Sequence, residues 1–121
     1  MYANAIQGPD LDLSQFSSRQ LRDRRRRLAA RFPDLVEVVM GSLHSHRRSC
    51  GKEGCRCTRG ELHGPYVYLA VRMGRRNRLL YVPAELADEV QRRVAVSQRV
   101  QASLAEISAI NLELLARGEL D

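Results

Sequence analysis

All three cysteines of this 121-residue chain fall between positions 50 and 57, and a histidine follows at 63. The run Cys50-Gly-Lys-Glu-Gly-Cys55-Arg-Cys57-Thr-Arg-Gly-Glu-Leu-His63-Gly-Pro65 has the spacing C-x4-C-x-C-x5-H and holds four of the eight glycines. Thiols packed this closely, with turn residues between them, have the pattern of ligands to one metal ion. Zn²⁺ takes four tetrahedral ligands drawn from Cys and His, and three Cys with one His is a common structural set. Gly51 and Gly54 let the backbone fold back so that Cys50 and Cys55 converge, and Gly60 and Gly64 do the same around His63. The competing reading is three ordinary reduced thiols. Free cysteines usually sit in apolar cores, and a loop of glycine and charge provides none. The fourth ligand stays open between His63 and two rivals, His44 and His46, of which His46 alone reaches the loop from the preceding strand. Iron–sulfur clusters usually take four cysteines, so Zn²⁺ is the expected cofactor.

The length suits one domain, or a small domain with a helical extension. With no Trp and two Phe the core must be modest, and a metal staple would support it. An odd number of cysteines argues against a closed disulfide framework. Met1–Leu13 has neither the basic start nor the apolar run of a secretion signal, and no segment has the length of a membrane span. A cytoplasmic setting is therefore expected, where clustered cysteines favour metal over disulfide.

The net charge of +6 is unevenly spread. Arg19–Arg78 carries sixteen basic and five acidic residues, whereas Leu79–Asp121 carries four basic and seven acidic. A basic body beside a mildly acidic tail is the asymmetry of a chain that meets a polyanion with one part and protein with the other.

Three segments are expected. Residues 1–16 show no period and are broken by Gly8-Pro9, so they read as flexible. Residues 17–83 read as a basic helix plus a small β domain. Ser17 or Ser18 caps a helix over Arg19–Phe32 that Pro33 stops. Leu35–Met40 is β-branched and apolar, and predicts a strand, bent or bulged at Gly41, that leads through Ser42–Arg48 to Cys50; continued helix through Val39 is the alternative. Pro65 opens a second strand, Tyr66–Arg72, with Tyr66, Tyr68 and Ala70 on one face and Val67, Leu69 and Val71 on the other. Met73–Asn77 forms a turn, and Arg78–Val82 returns antiparallel. Residues 84–118 read as one long helix, opened by Pro83 and stopped by Gly118, roughly 50 Å in length. Its apolar residues follow a heptad seam that includes Val100, Leu104, Ile107, Asn111 and Leu114. A buried Asn in such a seam fixes register and oligomer state, so a homodimer is expected; folding back on its own domain or pairing with the N-terminal helix is the alternative. The fold class is therefore α+β: an N-terminal helix, a small antiparallel zinc-ribbon-like sheet bearing a Cys3His loop, and a long C-terminal helix of coiled-coil type.

Gly41-Ser-Leu43, the run from Cys50 to Cys57, Gly60-Glu-Leu-His-Gly-Pro-Tyr66, Tyr68-Leu69 and Tyr81-Val-Pro83, followed by the long helix, resemble an uncharacterised domain-of-unknown-function family of bacteria and archaea. The resemblance covers about two thirds of the chain. It implies no activity, and it implies nucleic-acid work only through the mobile-element genes that such members accompany. The arginine-rich helix lies outside the matching pieces.

Enzymatic readings find little support. Gly51-Lys52-Glu53 lacks P-loop spacing, four protein ligands would close a metal site to substrate, and no third group is marked to orient a Cys57–His63 pair. A redox role for Cys55-Arg-Cys57 is the strongest catalytic competitor. The expected function is binding of DNA or RNA through phosphate contacts, with no membrane and no small-molecule substrate. The candidate contacts are Arg24, Arg25, Arg26, Arg27, Arg47, Arg48, Lys52, Arg56, Arg59, Arg75, Arg76 and Arg78. Tyr66 and Tyr68 are available to stack bases where their face is open. The alternative is a zinc-stabilised protein–protein adaptor with a coiled-coil docking helix and no nucleic-acid binding.

Overall fold

The computed structural model describes residues 12–121. Helix α1 spans Ser18–Ala30, strands β1, β2 and β3 span Ser42–Arg48, His63–Met73 and Arg76–Val82, and helix α2 spans Ala87–Ala116. Single 3-10 turns lie at Leu35–Glu37, Arg56–Arg59 and Ala84–Leu86. This is the expected order of helix, antiparallel sheet and long helix. Among the described residues no helix is long and apolar enough to cross a membrane. The chain divides into two compact units, Val38–Ala95 and the described residues up to Glu37 with Val96–Asp121. The boundary expected at Pro83 falls inside the first of them.

In the Val38–Ala95 unit the sheet order is β1-β2-β3, all antiparallel. β2 is central: Leu69 stands between Leu43 and Leu80, and Tyr68 between His44 and Tyr81. Side chains alternate across a pleated sheet. One face thus gathers Leu43, Val67, Leu69, Val71 and Val82, which pack with Val39, Ala87, Val90 and Val94 into one core. The opposite face carries His44, His46, Tyr66, Tyr68 and Tyr81.

Leu35–Met40 does not form the expected strand. Asp34 Oδ1 accepts a hydrogen bond from the Val36 N–H at 3.0 Å, which turns the chain into the Leu35–Glu37 coil. Val36 is 85 % exposed, so its β-branched side chain meets no pleated neighbour. Pairing starts only beyond Gly41, where a Cβ would stand 2.7 Å from the Ala70 carbonyl oxygen. The bareness of Gly41 lets the chain enter the sheet at that point.

In the other unit α1 packs against the later turns of α2. Ser17 caps α1: its Oγ accepts from the Gln20 N–H at 3.1 Å, and Gln20 Oε1 accepts from the Ser17 N–H at 2.8 Å. The core is Leu21, Leu28, Ile110 and Leu114, with Leu13 and Ile107 against it. Of the stretch expected to be flexible, residues 1–11 lie outside the described residues; within 12–16, the carbonyls of Leu13 and Phe16 accept from the Arg117 guanidinium at 3.1 and 2.7 Å. The α2 terminus closes as a Schellman turn, with Gly118 N–H donating to the Leu115 carbonyl and Glu119 N–H to that of Leu114.

The helical seam is used within the chain. Leu114 is fully buried, Ile107 packs against the same core, and Asn111 Oδ1 accepts from Arg25 at 2.7 Å. Val100 is half-buried, and Leu104 is 52 % exposed.

Candidate metal centre

β1 ends at Arg48, and the chain passes through Cys50 into a loop whose Cys55 N–H donates to the Lys52 carbonyl at 3.4 Å. Cys55 begins the Arg56–Arg59 turn that carries Cys57. Its carbonyl accepts from both the Thr58 N–H, at 3.0 Å, and the Thr58 Oγ1, at 2.6 Å. The Gly60 N–H returns to the Cys57 carbonyl, and the chain re-enters the sheet at His63, the first residue of β2. Arg48 pairs with His63 across the β1–β2 ladder, so the sheet itself fixes the two ends of the loop.

This route brings the donor atoms of Cys50, Cys55, Cys57 and His63 within 4.8 Å of one another. The Cys50 and Cys57 sulfurs are 3.7 Å apart. Two thiolates bound at about 2.3 Å to one tetrahedral ion stand about 3.8 Å apart, so the pair is already at ligand spacing. Cys55 Sγ lies 3.1 Å from His63 Nε2. The Cys50 backbone N–H donates to Cys57 Sγ at 3.4 Å, the kind of outer hydrogen bond that orients a thiolate ligand. Cys57 is buried at 5 % exposure, Cys55 and His63 are half-buried, and Cys50 is exposed.

The cluster also adjusts its own protonation. The Cys55 thiol is held down at about 6, first by the Cys57 backbone N–H and then by the thiols of Cys57 and Cys50 and by His63. Cys50 is raised: the Lys52 N–H lowers it, but the Cys55 thiol, burial and the Cys57 thiol outweigh that donor. One thiol deprotonated near neutrality beside another held protonated is the state of a cluster that sheds protons when a cation arrives. The donor set fits a metal ion.

The choice among histidines resolves on geometry. His63 belongs to the cluster, whereas His44 Nε2 is 3.0 Å from Ser42 Oγ and the His46 ring lies 5.8 Å from that of Tyr68. Both rivals point from β1 onto the open face of the sheet.

Gly64 links the last ligand to β2 at φ +113°, and a Cβ there would meet the His46 carbonyl oxygen at 2.8 Å and the Tyr66 nitrogen at 2.9 Å. Gly64→Ala is therefore expected to cost about 1–3 kcal/mol through backbone strain and to loosen the metal. Thermal melting and chelator competition of the metal-loaded protein check this. An unchanged melting temperature would mean that the loop reroutes freely.

The basic residues fall into two groups. Arg47, Arg48, Lys52, Arg56, Arg59, Arg75, Arg76 and Arg78 are all exposed around the loop and hairpin, with Arg56 3.8 Å from Glu61. On α1, by contrast, Arg24 makes a two-pronged pair with Glu106 at 2.6 and 3.1 Å, and Arg25 holds Asp121 as well as Asn111. Arg26 meets Asp23 at 3.3 Å on the surface, and Arg27 is exposed. The grouping of Tyr81 and of the two β1 histidines with Tyr66 and Tyr68 on one face is not visible along the chain. The alternations His44-x-His46 and Tyr66-x-Tyr68 are local signals of it, and the pairing between them is not local.

Fold and donor set together define a small α+β protein with a Cys3His cluster able to hold a metal ion at the end of a three-stranded antiparallel sheet. The chain belongs to the DUF6788 family, a domain of unknown function whose model matches residues 18–92. That match begins at α1 rather than at Gly41, so the arginine-rich helix is part of the family's domain, and it ends within α2. No curated protein and no solved structure matches the chain.

Proposed function

We propose that this protein is a zinc-stabilised nucleic-acid-binding protein whose contact surface is the metal loop and the hairpin. The observation that carries the reading is charge. Val38–Val82 holds nine basic residues against two acidic ones, and all nine are exposed. A rigid frame that offers this many cations gains affinity for phosphate by releasing counterions. Three thiolates and an imidazole suit Zn²⁺, and four protein donors leave no open coordination position, so the metal's role is structural. An accessory role beside a mobile element rests on the family resemblance alone.

The arginines of α1 contribute less than their number suggests, because Arg24 and Arg25 are engaged by carboxylates of the same chain. The expected result is binding to duplex DNA or structured RNA with a steep salt dependence. Six phosphate contacts give a log–log slope of about −5 and weaken binding by about 10³ between about 50 and 200 mM salt. Replacing Arg75, Arg76 and Arg78 with Gln should flatten the slope by about 0.9 for each phosphate that is no longer neutralised. Absence of any band shift on duplex DNA, single-stranded DNA or structured RNA at low salt would hand the protein to the adaptor reading. That reading draws support from Leu104, Leu112 and Leu115, exposed at 52, 55 and 57 % on α2. We place the proposed homodimer contact on the same three residues.

A further inference from the structure

We infer that the open face of the sheet is a platform for the bases of a single-stranded nucleic acid. The inference rests on the nucleic-acid reading above and names its substrate class. Backbone register sets His44, Tyr68 and Tyr81 side by side across the three strands, and His46 beside Tyr66 in the next row. The rings of Tyr68 and Tyr81 are 5.8 Å apart between centroids, as are those of Tyr68 and His46. The rings of His46, Tyr68 and Tyr81 therefore follow one another in sequence across the face. Arg48 sits 4.9 Å over the Tyr66 ring, which places a cation at the edge of the platform.

These rings are not a core. The apolar core of this unit lies on the opposite face, while Tyr81 is 57 % exposed, His44 and His46 are exposed, and Tyr66 and Tyr68 are half-buried. Both acidic residues of Val38–Val82, Glu53 and Glu61, belong to the metal loop, so no carboxylate of the three strands stands on this face. Arg72, also exposed, lies two residues beyond Ala70 on the same side of β2.

An aromatic row with cations beside it, on strands that carry no carboxylate, matches a flexible polyanion that also has flat apolar faces. Stacking on aromatic side chains requires a base that is free of its own duplex stack, and a sheet of this kind offers the strand both stacking and phosphate pairing. A duplex hides its base faces and could use only the arginines. The face therefore favours unpaired DNA or RNA over a duplex of equal length.

The test uses the full metal-loaded chain, with a fluorescently labelled oligothymidylate or oligouridylate and a mixed-sequence duplex of equal length compared by anisotropy at one salt concentration. The chain has no Trp and four Tyr, so tyrosine emission can be followed directly and should be quenched as bases stack. Tyr68→Ala and Tyr81→Ala should each weaken single-strand binding by about 5- to 150-fold and leave duplex binding unchanged. Tyr68→Phe and Tyr81→Phe should bind as the parent does, since the ring and not the hydroxyl stacks. Tyr81 is exposed enough for its alanine variant to fold, which keeps the test valid should Tyr68→Ala unfold. Equal affinity for duplex and single strand, with Tyr81→Ala neutral and emission unquenched, would overturn the platform and leave the phosphate reading standing. No binding to either probe would overturn both.

Discussion

Cys57→Ser is expected to take the chain from about one bound metal ion to nearly none. Cys57 is the most enclosed ligand at 5 % exposure, and it is linked to Cys50 both through sulfur and through the Cys50 N–H. Serine keeps the size but replaces a soft thiolate by a hydroxyl that does not ionise near neutrality. The loop has little else to hold it. Apart from Cys57 its residues are exposed or half-buried, and its internal hydrogen bonds are those of isolated turns. Structural zinc contributes an apparent 10–16 kcal/mol or so in small zinc modules, so its loss should unfold the loop and fray the sheet end at Arg48 and His63. The helical unit has its own core and contains none of the four ligands, so far-ultraviolet helix signal should largely survive. Elemental analysis together with hydrogen exchange resolves both effects. His44→Ala and His46→Ala should each retain the full metal content. A Cys57→Ser protein still carrying one ion per chain would overturn the ligand set.

Leu114→Ala should destabilise the helical unit by about 2–5 kcal/mol, the cost of reduced burial plus the cavity left behind. Leu114 and Ile110 are both at 0 % exposure, and they meet Leu21 and Leu28 from α1. Few other apolar groups are present to collapse into the gap. Leu104→Asp should change folding stability by about 0.5 kcal/mol or less, because Leu104 is 52 % exposed. The pair separates two uses of one helix. Denaturant melts should respond to Leu114→Ala, whereas light scattering should report loss of the proposed self-association only in Leu104→Asp. A parent that is monomeric at tens of micromolar would remove the dimer while leaving the core prediction intact.

The arginines show where counting charge along a chain stops being informative. Arg24 and Arg27 are indistinguishable as letters in a run of four. In the fold, Arg24 is clamped by Glu106, eighty-two residues away, while Arg27 is exposed. Gln replacement of Arg24 or Arg25 therefore removes an internal ion pair as well as a cation, which makes the hairpin arginines the cleaner probes of phosphate binding.

Local chemistry is legible in the sequence because it is written in adjacent residues. Cysteine spacing identifies the metal loop, Ser17 and Gln20 mark the start of α1, the alternation of Tyr66–Arg72 identifies the central strand, and Gly118 marks the end of α2. Each depends on interactions within a few residues, so the pattern of side chains is nearly sufficient to specify it. Leu35–Met40 misleads for the same reason: β-branched residues promise a strand only when a neighbouring strand pairs with them, and here Asp34 turns the chain first. The rest is decided by tertiary structure. The heptad seam of α2 is apolar toward any partner, and its period cannot say whether that partner is a second chain or α1 of the same one. His63 rather than His46 joins the thiols because ladder register carries His46 onto the open face, beside Tyr66 and Tyr68. The aromatic row exists only because two antiparallel pairings bring residues 44, 68 and 81 abreast. Such contacts join positions far apart in sequence, and register, burial and chain reversal set them together.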